Sequence, residues 1–168
     1  MTFQGYVTDH QSGDEWTALI GKFVANYGSL EFLSYEWRKA LTGSVSATYC
    51  KKVFSKRIDS LVRDVERDPR CAPHRDAIVH CWEQTKVGLD ARNRVCHQPI
   101  GYVWVGREAD ASPPDAIVFL TYEKGKSIRY EIPKAAFADQ VNVLVKLAED
   151  LARLQMEVFG EPVREGAQ

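Results

Sequence analysis

No stretch of this chain approaches the roughly 20 consecutive apolar residues that a membrane-spanning helix requires. The opening Met1-Thr2-Phe3-Gln4-Gly5 lacks the basic start and apolar block of a signal peptide. A cytoplasmic protein with no membrane partner is therefore expected. An excess of charge of one sign is also missing, since 22 Lys and Arg stand against 23 Asp and Glu for a net charge of -1. That balance excludes a globally basic nucleic-acid binder, though not a local basic face. Cysteine is scarce. Cys50, Cys71, Cys81 and Cys96 are expected as reduced thiols rather than as a disulfide framework. Neither a phosphate-cradling glycine loop nor a nucleophile elbow occurs.

What is present is a globular composition over 168 residues, 45% hydrophobic and 27% charged, enough chain to bury a core. Residues 1–13 read as a flexible arm, and Ser12-Gly13-Asp14 as a helix cap. From Trp16 the apolar positions step by four and three through Ile20, Phe23, Tyr27, Leu30, Ser34, Trp37 and Leu41. That spacing marks one long helix with a buried stripe. Gly21 and Gly28 sit inside it, and glycine costs a helix about 1 kcal/mol against alanine. A neighbour packed close to that face would explain them.

A second helix is predicted from about Ser46 to Arg67, with Phe54, Ile58, Leu61 and Val65 on one side, stopped by Asp68-Pro69. A third begins near Pro73, and its stripe runs Ile78, Trp82, Thr85, Leu89, Arg92 and Cys96 before Pro99. The period then changes from helical to alternating. Ile100, Tyr102 and Trp104 alternate with Gly101, Val103 and Val105. A second strand covers Ala116 to Tyr122, and a third, after the turn at Glu123 to Lys126, carries Ile128, Tyr130 and Ile132. Arg107 to Asp115 reads as a mobile loop. After Pro133 the helical period returns through Phe137, Val141, Leu144, Ala148, Leu151, Gln155 and Val158, with a tail at 161–168. The expected fold is mainly α, a single domain over 14–160. It is a four-helix up-down bundle with a small antiparallel β-meander, about 100–132, between helices three and four.

Chemistry gathers near the end of the third helix. Arg92 occupies a stripe position that calls for an apolar side chain, and a buried unpaired guanidinium costs several kcal/mol, by order of magnitude about 3–5. Asn93 and His97 are four residues apart and share a helix face. The duller explanation is that Arg92 and His97 complement the helix dipole and its free carbonyls, an effect of about 0.3–1 kcal/mol.

Arg92-Asn93-Arg94-Val95-Cys96-His97 resembles the motif of the HEPN superfamily. In that motif an Arg, usually followed by a polar residue, is separated from a His by four to six intervening residues, here four, late in the third helix of a helical bundle. The resemblance implies metal-independent RNA cleavage by a homodimer whose two motifs meet, with no cofactor and no metal. His97 would be general base or acid, Arg92 would hold the scissile phosphate, and Asn93 would orient phosphate or imidazole. Glu31, at the edge of the first helix's stripe, would be the supporting carboxylate that fixes Arg92, or else a rim carboxylate in water. One branch of the family has a tyrosine two residues after the histidine. Here Gln98-Pro99 follows, so that branch's regulation does not carry over.

Other constellations compete. Cys71, His74, His80, Cys81, Cys96 and His97 are zinc-type ligands, but without zinc spacing: adjacent His80 and Cys81 point about 100° apart on a helix. Cys96 beside His97 is poorly placed for activation and falls on the predicted buried stripe. The cations from Lys51 to Arg75 read as a solvated helix surface. Trp104 and the other meander aromatics either stack on bases or pack on the bundle. Two readings follow: a homodimeric endoribonuclease of the toxin or defence type, acting on RNA with an antitoxin or regulatory partner, or a catalytically inactive helical dimer that binds a protein or nucleotide.

Overall fold

The computed structural model describes residues 14–97, 100–103, 116–123 and 126–160. It is mainly helical with a small antiparallel sheet. The elements run α1 (Asp14–Thr42), α2 (Ala47–Cys50), α3 (Phe54–Arg67), a 3-10 turn (Pro69–His74), α4 (Arg75–Val87) and α5 (Leu89–His97). Then come β1 (Ile100–Val103), β2 (Ala116–Glu123), β3 (Lys126–Pro133) and α6 (Lys134–Phe159). The strands pair in sequence order, with Tyr102 opposite Ile117 and Ile117 opposite Ile132. The expected arm, the loop at Arg107–Asp115 and the tail lie outside the described residues. Among the described residues no helix is long and apolar enough to cross a membrane.

The chain forms two compact units, each built from two separate segments: 1–27 with 90–144, and 28–89 with 145–168. In the first, Phe137 of α6 meets Trp16 and Phe23 of α1 at ring-centroid distances of 5.7 and 4.9 Å, and Phe23 meets Tyr27 edge-on at 5.1 Å. Ile117 and Val118 of β2 are fully buried in the same unit. Lys134 pairs with Glu15. Of the predicted α1 stripe, Trp16, Phe23, Tyr27, Leu30, Ser34 and Trp37 are buried, while Ile20 and Leu41 are only half-buried.

In the second unit Trp37 is fully buried. Its indole N–H donates to the Leu151 carbonyl at 3.2 Å, and its rings meet Trp82 and Phe159 edge-on. The indole needs that acceptor, since an unmade hydrogen bond in the core costs about 1–3 kcal/mol. Helix α1 ends where Gly43, at φ 77°, turns left-handed and donates to the Lys39 carbonyl at 2.8 Å, a conformation that favours glycine. Arg70 reinforces the end by donating to the carbonyls of Ala40 and Leu41, both at 3.3 Å.

Three expectations need correction. The helix predicted over Ser46 to Arg67 is broken at Lys51–Val53 into α2 and α3. In one continuous helix Tyr49 would face about 180° from Ile58. The break lets both be buried, with the Tyr49 hydroxyl donating to the Ser34 carbonyl at 3.1 Å. The cations after Lys51 are not all solvated: Arg57 is 2% exposed, paired with Glu31, and lies over the rings of Tyr35 and Phe54 at 4.5 and 5.3 Å. Finally, Gly21 and Gly28 have no close neighbour, for a methyl group added at either would meet nothing within 4 Å among the described residues.

Acid should weaken the second unit by a traceable route. The Lys86 ammonium, hydrogen-bonded to Asp59 at 2.9 Å, holds that carboxyl below its ordinary range. A depressed folded pKa adds stability that is complete above the unfolded value, about 3.9, and is lost as pH falls through the folded one. Asp59→Asn should therefore melt below the parent at neutral pH, and the gap should close below about pH 4. Melting curves from pH 3 to 7 check this, and a gap independent of pH would contradict it.

Candidate functional site

Gly88, at φ -88° and ψ 0°, ends α4. The next nine residues form a separate helix, α5. The buried stripe predicted across one long helix stops at Thr85, and α5 buries Val95 instead, at 8% exposure. Cys96, expected in the core, is exposed. Arg92 is half-buried rather than sunk in helix packing, while Asn93 and His97 are exposed. A single apolar anchor on a short helix leaves the rest of its surface to polar groups.

On that surface the Arg92 guanidinium donates to the Asn93 side-chain carbonyl at 3.2 Å. His97 is one turn beyond Asn93, so amide and imidazole stand on neighbouring positions of one face. The structure thus joins Arg92 to Asn93 by a bond and keeps His97 on the exposed ridge beside Asn93. Such a group can grip a tetrahedral anion, because guanidinium and amide N–H donors reach its oxygens while the imidazole can move a proton. Glu31 belongs to the second compact unit, where its carboxylate accepts from Arg57. Gln98, Pro99 and Trp104 lie outside the described residues.

One buried group that feels the Arg92 charge was hidden in the sequence. Tyr27 of α1 is 2% exposed, and its hydroxyl has no hydrogen-bond partner among the described residues. Burial pushes the phenol well above its ordinary range, and the Arg92 charge opposes that rise. By its spacing in the sequence Tyr27 is only an apolar position on the α1 stripe. Its polar tip on that stripe was the available signal.

The thiols divide between core and surface. Cys71 and Cys81 are buried, and burial raises both above the ordinary thiol range, whereas Cys50 and Cys96 are exposed. Among the described residues no three His, Cys, Asp or Glu side chains gather as a metal-binding group. Comparison with protein families, with curated proteins and with solved structures returned no match.

The buried hydroxyl gives a direct test of the packing of the α1 stripe. Removing an unpaired buried polar group should stabilise the fold, here by about 1 kcal/mol. Tyr27→Phe should therefore melt at or above the parent's temperature in calorimetry. A clear fall would mean that the phenol oxygen is bonded after all.

Proposed function

We propose that this chain is a HEPN-like, metal-independent endoribonuclease of the toxin or defence type, built on a four-helix up-down bundle and acting in the cytoplasm as a homodimer. The observation that carries the reading is the hydrogen bond from Arg92 to Asn93 beside an exposed His97 on the last turns of α5. In this mechanism Arg92 and Asn93 hold the scissile phosphate and offset the charge that builds on its oxygens. A neutral imidazole removes the proton from the 2′-OH, which attacks the adjacent phosphorus. A protonated imidazole delivers a proton to the departing 5′-oxygen. Two copies of His97, one from each subunit, provide base and acid together. The products are a 2′,3′-cyclic phosphate and a 5′-hydroxyl.

The purified protein should cleave single-stranded or loop RNA in excess EDTA, leaving those ends, and should spare substrates with 2′-deoxyribose at the cut. His97→Ala should slow cleavage by about 10²–10⁴-fold, and Arg92→Ala by at least as much, with both variants still folded by circular dichroism. Cleavage that requires a divalent ion, or that His97→Ala leaves untouched, would defeat the mechanism. No cleavage of any RNA would transfer the assignment to the inactive dimer that binds protein or nucleotide.

The dimer has its own support. Among the described residues nothing lies within 4 Å of a methyl group added at Gly21 or Gly28 of α1, and Phe32 on the same helix is 62% exposed. Such a face suits close packing by another helix, here from a second copy. Light scattering at micromolar concentration should return twice the 19.0 kDa chain mass. A monomer that persists at high concentration would remove the shared site.

A further inference from the structure

Helix α5 carries a second cation on the ridge of the candidate site. Arg94 is three residues before His97, so the two side chains are neighbours on the helix surface. The Arg94 Cζ atom lies 3.4 Å from the centre of the Tyr130 ring on β3. That separation dictates the orientation. A guanidinium standing on edge would drive one nitrogen into the ring, so the planar cation must lie flat on the phenol, face to face. One face of the guanidinium is then spent on Tyr130 and the other is directed away from it. Arg94 and Tyr130 are both partly exposed, and among the described residues Arg94 has this ring as its partner rather than a carboxylate.

A flat cation backed by an aromatic ring has the dimensions of a nucleobase and the thickness of a stacked pair. Unpaired bases of RNA are bound on aromatic rings and on guanidinium planes, which accept any base because every base has a π face. Paired bases inside a duplex hide those faces. We infer that the Arg94–Tyr130 stack is a platform for one unpaired nucleobase of a single-stranded RNA, seated one helical turn from His97. The inference rests on the ribonuclease reading of α5, and it names what that site grips besides phosphate. A lysine at this position would keep the charge and lose the plane.

The test separates base stacking from charge and binding from cleavage. Fluorescence anisotropy is read with a short, fluorescein-labelled 2′-O-methyl oligoadenylate, which cannot be cleaved, and with the same backbone made abasic. The parent should bind the base-bearing probe about tenfold more tightly than the abasic one. Arg94→Lys and Tyr130→Leu, each checked for an unchanged melting temperature, should lose that preference while binding the abasic probe as the parent does. Equal binding of the two probes by the parent, or no binding of either, overturns the platform without any variant being needed. An undiminished preference in Arg94→Lys also overturns it. If the preference is present and depends on Arg94 while no RNA is cleaved, the platform stands and the ribonuclease reading falls. If RNA is cleaved but the preference is missing, the reverse holds.

Discussion

Gly88 interrupts what the apolar spacing would otherwise make one helix, and the surface of α5 depends on that interruption. At 100° per residue, Arg92 and Cys96 would each lie within about 20° of Thr85 on an unbroken helix. A guanidinium would then enter the same stripe as Ile78, Trp82 and Thr85, all of them fully buried. With the break, Val95 becomes the buried residue of α5, and Arg92, Asn93 and His97 gain access to solvent. Glycine at this position lowers helix propensity by about 1 kcal/mol, which favours a break there without by itself requiring one, since α1 runs unbroken through Gly21 and Gly28. The boundary between the two compact units falls at the same place, between Leu89 and Asp90.

Periodicity read from the sequence is strongest where one stripe runs unbroken. It located α1 and its buried positions nearly residue by residue, and the alternation after Ile100 gave three strands in their observed order. It failed at short interruptions. The gap at Lys51–Val53 and the one at Gly88 each separate helices whose apolar residues, written out in a line, still step by three and four. Spacing counts residues and cannot register a local change of backbone direction. The motif at Arg92, Asn93 and His97 was legible because it is contiguous. Tyr27 was not, because it lies 65 positions before Arg92 in the sequence and is linked to it only through the electrostatics of the fold.

Aromatic rings take up much of the cationic charge. Arg57 lies over Tyr35 and Phe54, Arg70 over Phe159, and Arg94 over Tyr130. Arginine suits this use, since its delocalised, weakly hydrated cation loses less on leaving water than an ammonium does. Arg57 and Arg70 are also bound to carboxylates, Glu31 and Asp68, which makes them fixed parts of the second unit. Arg94 has no such clamp among the described residues, and Arg92 donates to the neutral Asn93 amide. Among the described residues Arg94 is held by a ring alone, whereas Arg57 and Arg70 are held by ring and carboxylate together.

The buried phenol of Tyr27 shows the same contrast from the side of stability. Phenylalanine would fill the α1 stripe and keep the edge contact with Phe23, without an unpaired hydroxyl whose burial costs about 1–3 kcal/mol. Packing alone therefore gives no reason for tyrosine. The second unit also holds unpaired buried donors, including the Trp82 indole nitrogen and the Arg57 Nε atom, but there the large side chain or its charge has a packing or pairing role. Among the described residues the Tyr27 oxygen has no comparable role, and the Arg92 charge only opposes the effect of its burial. Tyr27 therefore carries a polar atom at a cost to stability, within the field of the Arg92 cation.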